Sequence, residues 1–178
     1  KREYYTLVSE FMLQQTQVRT VVPYFNNFIK NIPNMNSLAT TNEKKLLKYW
    51  EGLGYYSRVK NLKKTAQIVI KKYKGKVPNT IDQLKTLPGI GDYTANAIMA
   101  IVFNKTFIPL DGNVERIIKR LLNLKSTYGV SKKNLVKQKK ILGKSIRASD
   151  YAQALMELGA LICKPKNPIC TKCPLVKD

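Results

Sequence analysis

Apolar residues recur at intervals of three and four along nearly the whole chain, the period of helices buried on one face. Downstream of Thr16, an N-cap residue type, the stripe runs Val18, Val21, Val22, Phe25, Phe28, Ile29, Ile32. Asn42 is placed to cap a helix carrying Leu46, Leu47, Trp50 and Leu53, with Gly52 and Gly54 near its end. Val59, Leu62, Ala66, Val69, Ile70 and Tyr73 form another stripe, stopped by Gly75. Thr80-Ile81-Asp82-Gln83 reads as a capping box. Further stripes pass through Ala97, Ile98, Ile101 and Val102, then Val114, Ile117, Ile118, Leu121 and Leu122. Two more follow, one at Leu135, Val136, Ile141 and Leu142, the other at Tyr151, Leu155, Leu158 and Ile162. Alternating strands are absent, as are internal repeats and low-complexity linkers, so the pattern predicts an all-α protein of about eight short helices.

Composition narrows the function. At 178 residues and 44% hydrophobic the chain can bury a real core as one large or two small domains. No apolar run approaches the roughly 20 residues that span a bilayer. The first residue is lysine and no signal peptide follows, so the expectation is a piece of a longer protein. Thirty-two basic against 11 acidic residues give a net charge of +21, which favours a polyanionic partner, nucleic acid first. An excess of lysine is also what an AT-rich genome would produce. There is no histidine, which excludes a Ser-His-Asp triad, a histidine base and any histidine metal ligand within these residues. Catalysis is left to carboxylates, tyrosine, lysine, cysteine or a cofactor.

Five segments carry candidate chemistry. In Leu87-Pro88-Gly89-Ile90-Gly91-Asp92-Tyr93-Thr94-Ala95 one helix ends at proline, two glycines make a tight turn, and Asp92 is placed to cap the next helix. Such a turn points backbone N–H groups outward at a helix start and makes an anion site, with Lys85 nearby and a DNA phosphate as the natural ligand. A bare Pro-Gly-x-Gly is more often an ordinary helix–helix turn. In Ser9-Glu10-Phe11-Met12-Leu13-Gln14-Gln15-Thr16-Gln17, Glu10 has apolar neighbours, and a carboxyl in apolar surroundings tends to stay protonated and act as an acid. A solvated glutamate is the bland alternative. Asp111, in Leu110-Asp111-Gly112-Asn113-Val114-Glu115-Arg116, stands just ahead of a helical stripe as an N-cap, a role that can coexist with a functional one. Gly52-Leu53-Gly54-Tyr55-Tyr56-Ser57-Arg58 bends between helices and offers Tyr55 either to DNA or to the core. Last, Cys163, Cys170 and Cys173 sit in a proline-stiffened loop whose C-x2-C spacing suggests zinc or iron–sulfur rather than a disulfide framework.

Taken in order, these segments resemble the helix-hairpin-helix DNA glycosylase superfamily, and within it the MutY-type adenine DNA glycosylases. The string Ser9-Glu10-x-Met12-Leu13-Gln14-Gln15-Thr16-Gln17-Val18 is the most specific, and Gly52 to Tyr56 and Asp111 to Val114 agree with it. The resemblance implies a monofunctional enzyme of base excision repair. It would hydrolyse the N-glycosidic bond of adenine mispaired with 8-oxoguanine or guanine in double-stranded DNA. Glu10 then matches the acid that protonates the adenine ring, Asp111 the carboxylate that stabilises the positive sugar, and Asn113 the support of that carboxylate. Tyr93 falls where bifunctional relatives carry a Schiff-base lysine, Gln15 and Tyr55 match residues that wedge beside the lesion base, and Gly89 and Gly91 belong to the DNA-binding hairpin. Cys163, Cys170 and Cys173 match three of the four thiolates of a [4Fe–4S] loop, with the fourth expected one position beyond Asp178. The implied architecture is a six-helix barrel module at about 1–105, its hairpin at about 80–100, and an iron–sulfur-loop module at about 106–178. The family's N-terminal helix and C-terminal lesion-recognition domain would lie outside the sequence. A monomer acting on the nucleoid in the cytoplasm of a bacterium, or in a eukaryotic nucleus or mitochondrion, is implied as well. Rival readings are an endonuclease III-like or thymine-mismatch glycosylase, a non-enzymatic helix-hairpin-helix DNA-binding module, and a structural zinc loop.

Overall fold

The computed structural model describes residues 1–124 and 139–175, and among these every regular element is helical. Contacts divide the chain into two compact units, residues 1–98 and 99–178. The first holds α1 (Arg2–Leu13), α2 (Val18–Asn31), α3 (Met35–Thr40), α4 (Glu43–Trp50), α5 (Ser57–Tyr73) and α6 (Ile81–Lys85), and α7 (Asp92–Ile101) begins in it. The second holds α8 (Gly112–Leu121), a 3₁₀ turn at Lys139–Leu142, α9 (Ala148–Glu157), a π-helical turn at Leu158–Ile162 and a 3₁₀ turn at Cys170–Lys172. Part of the expected helix through Leu135 and Val136 lies outside the described residues.

In the first unit α1 is the central element. Tyr4, Thr6, Leu7, Val8, Glu10, Phe11 and Met12 are all buried, so α1 is covered on nearly every side rather than along one stripe. It packs against α2 and α5, while α4 packs against the same two helices. Phe28 of α2 and Trp50 of α4 meet edge to face at 6.1 Å, and both are fully buried. Side-chain caps set several starts: Asn34 for α3, Asn42 for α4 and Thr80 for α6 each accept a hydrogen bond from a main-chain N–H of the first turn.

Three local expectations are corrected. Thr16 does not cap α2; Gln17 holds that position without a side-chain bond, and the Thr16 hydroxyl faces the preceding turn. Of the stripe on α2, Val18 is 65% exposed and Val22 49%, because only Val21 and Phe28, with Ile32 just past the end, reach the core. At the end of α5 it is Lys74 that first takes the left-handed conformation (φ 53°), and Gly75 follows it with its N–H on the Val69 carbonyl.

In the second unit a small core of Leu110, Val114, Ile117, Ile118, Leu142 and Leu155 joins α8, the 3₁₀ turn and α9. Asp111 is the N-cap of α8, as its position in the sequence implies: its side chain accepts from the Val114 N–H at 2.7 Å.

Candidate active site and nucleic-acid interface

Within the first unit, Glu10 lies near the end of α1, 5% exposed and flanked by the fully buried Phe11 and Met12. Just beyond α1 the chain turns sharply, and Gln15 is exposed with φ at 56°. Tyr55 behaves alike, 61% exposed with φ at 46°. Left-handed backbone costs a non-glycine residue about 1–2 kcal/mol, so both turns need an outside restraint. It comes from Arg58, 5% exposed, whose guanidinium donates to main-chain carbonyls of both turns. Burial pulls the Arg58 pKa below its ordinary value, and the nearby Tyr55 hydroxyl pushes in the opposite direction.

The hairpin between α6 and α7 packs on this region. Gly89 has φ at 80°, and a Cβ there would come within 2.7 Å of the Phe11 ring and 3.1 Å of Asn61. Its carbonyl accepts from Gln14 Nε2 at 3.1 Å, and the Pro88 carbonyl accepts from the Thr65 hydroxyl at 2.9 Å. Gly89 is therefore glycine for the protein's own packing. Gly91 differs: among the described residues no atom beyond its chain neighbours lies within 4 Å of where its Cβ would be, which leaves an open approach to the start of α7. Lys85 pairs with Asp92 at 2.6 Å, and that hydrogen-bonded partner raises the lysine's pKa. The Lys85 charge is thus engaged by Asp92 rather than lying free beside the turn. Tyr93 is half-buried in the first turn of α7.

Within the second unit, Asp111 is clamped twice. Oδ1 takes the Val114 N–H, and Oδ2 accepts from Asn113 Nδ2 at 3.1 Å. Asn113 Oδ1 in turn accepts from Arg116 Nη2 at 2.8 Å. The same arginine donates to the Gly159 carbonyl at 2.6 Å and, through Nε, to the Cys163 carbonyl at 2.7 Å. A continuous hydrogen-bonded chain thus runs from the Asp111 carboxylate to the backbone of the cysteine loop.

Cys163, Cys170 and Cys173 are free thiols that line one cavity of about 190 Å³ with apolar walls from Ile117, Leu158 and Ile169. Arg120 donates from Nη1 to Cys163 Sγ at 3.2 Å and to the Lys164 carbonyl. Among the described residues no three Cys, Asp or Glu side chains stand close enough together to hold one metal ion. Three thiols on one cavity are donors suited to a soft, sulfur-liganded metal group.

A sequence profile described as "HhH-GPD superfamily base excision DNA repair protein" matches residues 8–140. The chain belongs to this superfamily. An adenine DNA glycosylase of Buchnera aphidicola subsp. Baizongia pistaciae is 42% identical over 98% of the chain, covering 50% of that protein. The adenine DNA glycosylase of Rattus norvegicus is 39% identical over 98% of the chain and 34% of its own length. The chain spans about half the length of the bacterial relatives it matches. Among solved structures, a thermostable thymine-DNA glycosylase superposes with a TM-score of 0.84 at 27% identity, over 99% of this chain and 83% of that one. A trapped endonuclease III–DNA covalent intermediate gives 0.82 at 25% identity, over 97% and 80%.

Three residues that hold these turns and carboxylates in place carried no functional signal in the sequence. Arg58 and Arg116 stood in the quoted segments, yet nothing in a one-dimensional pattern marks an arginine as buried. Gly159 left a trace, a glycine inside an apolar helical stripe, which is a signal of close approach. A Cβ at Gly159 would meet the Asn113 Cβ at 2.5 Å.

Proposed function

We propose that the chain is the catalytic core of a monofunctional DNA glycosylase that hydrolyses the N-glycosidic bond of adenine mispaired with 8-oxoguanine or guanine in double-stranded DNA. The observation that carries this reading is the 42% identity to an adenine DNA glycosylase over 98% of the chain. It is supported by a buried Glu10 and by an Asp111 whose carboxylate is held by its own helix start.

In this mechanism Glu10 gives its proton to a ring nitrogen of the flipped adenine. The C–N bond then breaks with its electron pair leaving on the base. The sugar becomes cationic, and the Asp111 carboxylate stabilises that charge until water adds and releases a proton. Asn113 keeps Asp111 oriented by donating to Oδ2. Tyr93 cannot form an imine with the sugar, so the abasic strand is left intact. Gln15 and Tyr55 enter the duplex beside the lesion base, and their exposure on stiff turns supports that role. Backbone N–H groups at Gly89 and Gly91 hold a phosphate, and the open space at Gly91 is what a close backbone approach to DNA needs. Lys44 and Lys48 near the exposed Tyr56 add positive charge for the duplex backbone, while Lys60 beside them pairs with Glu43 at 3.2 Å.

Cys163, Cys170 and Cys173 would hold three corners of a [4Fe–4S] cluster, with a fourth thiolate following Asp178 in the longer protein. The cluster would brace a loop whose Lys164 and Lys166 offer positive charge to DNA, and it would play no redox part, since glycosidic hydrolysis moves no net electrons. The barrel module at about 1–105 and cluster module at about 106–178, a monomeric state, and a site of action on nucleoid, nuclear or mitochondrial DNA follow from the same reading.

The test is incubation of the protein with duplexes carrying A·8-oxoguanine, A·G, A·C or T·G, followed by alkali to break abasic sites. Strand breaks at adenine opposite 8-oxoguanine and guanine are expected. Breaks confined to T·G would instead favour thymine-mismatch chemistry.

A further inference from the structure

We propose that Arg58 is the positioning residue for both DNA-entering side chains: one buried guanidinium fixes the carbonyl that precedes each of Gln15 and Tyr55, and so holds both backbones in the left-handed conformation before DNA arrives. The inference rests on the reading of Gln15 and Tyr55 as wedges.

The geometry is specific to those two positions. Left-handed φ is costly for a residue with a Cβ, and a hydrogen bond that fixes the preceding peptide carbonyl restrains rotation about that residue's N–Cα bond. For Gln15 the oxygen is that of Gln14, which accepts from Arg58 Nη1 at 2.5 Å. For Tyr55 it is that of Gly54, which accepts from Nη2 at 3.1 Å. Nη1 also lies within hydrogen-bond reach of the Met12 carbonyl at 2.7 Å, the Thr16 hydroxyl at 3.0 Å and the Phe11 carbonyl at 3.4 Å, all around the end of α1, and Nη2 donates to the Leu53 carbonyl at 2.9 Å beside Gly54. The fork therefore spans two turns about 40 residues apart in sequence. The guanidinium is also within cation–π reach of two rings, Trp50 at 5.4 Å and Tyr55 at 5.5 Å. Trp50 is fully buried and Tyr55 is exposed, so the same charge touches the core and the presented side chain. Gln14 closes the frame by donating from its side chain to Gly89 of the hairpin. Two wedges set in advance lose less freedom when they enter DNA, which is the benefit of preorganisation.

A lysine at 58 keeps the charge but not the fork, so Arg58→Lys separates positioning from charge. The probe is a duplex with 2-aminopurine beside 8-oxoguanine, opposite an uncleavable 2′-fluoro analogue of adenosine. Fluorescence of the probe rises when its stacking is broken. Arg58→Lys and Arg58→Gln should keep the parent's helical content and its affinity for fully paired duplex. The fluorescence rise and the preference for mispaired over paired DNA should each fall about tenfold, the scale of one base–aromatic stack. On a Gln15→Ala, Tyr55→Ala background, adding Arg58→Lys should cost nothing further. Parent-like unstacking by Arg58→Lys, or full additivity with the wedge variants, would overturn the clamp. Unchanged unstacking by Gln15→Ala and Tyr55→Ala would instead sink the wedge reading, and the clamp with it. Should both Arg58 variants unfold, the parent protein still decides. Backbone order parameters at Gln15 and Tyr55 should be those of rigid backbone, about 0.85, and values below about 0.6 would refute preorganisation.

Discussion

Gly159→Ala is the substitution whose effect the coordinates define most closely. A Cβ at Gly159 would lie 2.5 Å from the Asn113 Cβ, 3.1 Å from its Cα and 3.2 Å from its carbonyl carbon. Two of those atoms are backbone, so no side-chain rotation relieves the clash, and α8 must retreat by about 1 Å to reach ordinary van der Waals contact. Asn113 donates to Asp111, two residues earlier, and would carry the carboxylate with it. A 1 Å misplacement of a catalytic group costs about 10²-fold in rate. Overpacking costs about 1–3 kcal/mol, and replacing a helical glycine by alanine returns up to about 1 kcal/mol. The net loss of stability is therefore at most about 3 kcal/mol, a fall in Tm of about 6–12 °C at the upper end for a chain of this size. Single-turnover excision on an A·8-oxoguanine duplex, run well below Tm, should slow about 10²-fold while affinity for the duplex holds. Excision at the parent rate, with an unchanged or raised Tm, would refute the inference that Gly159 sets the position of Asp111.

Other predictions bear on separate parts of the site. Glu10→Gln keeps the shape but donates no proton, so base release should fall by at least about 10²–10⁴-fold with duplex binding intact, and near-normal single-turnover excision would remove Glu10 from the chemistry. Borohydride should not trap the parent protein on DNA, whereas Tyr93→Lys should introduce trapping; efficient trapping of the parent would contradict the monofunctional assignment. Gly91→Val should weaken binding to paired and mispaired duplexes alike, and parent affinity should fall steeply with salt; loss of lesion preference alone would argue against a phosphate site there. A protein extended past Asp178 to include a cysteine at the next position should be brown and contain iron and acid-labile sulfide, and stoichiometric zinc without sulfide would replace the cluster with a zinc loop.

Helices were legible where burial is one-sided and caps are local. Asp111 with Val114, Ile117 and Ile118 announced α8, and Asn42 announced α4, because side-chain capping and period are short-range signals. The stripe on α2 misled, since Val18 and Val22 share the helical period with Val21 yet face solvent. Periodicity marks a face without saying how far the core extends along it. Thr16 read as a cap because nothing local reveals that its hydroxyl sits against Arg58. The residues that escaped entirely, Arg58, Arg116 and Gly159, act through main-chain carbonyls or backbone contacts more than 40 residues away. Such contacts leave little imprint on hydrophobic pattern, and only the glycine in the stripe left one.

The base released decides the central claim. The protein should be incubated under single-turnover conditions with duplexes carrying A·8-oxoguanine, A·G or T·G, and free bases quantified by mass spectrometry beside Glu10→Gln and Asp111→Asn. Adenine from the first two duplexes, none from either variant, and no thymine from the third is the predicted outcome. Thymine in place of adenine, or no base at all from a protein that binds the mispaired duplex, would contradict an adenine glycosylase built on Glu10 and Asp111.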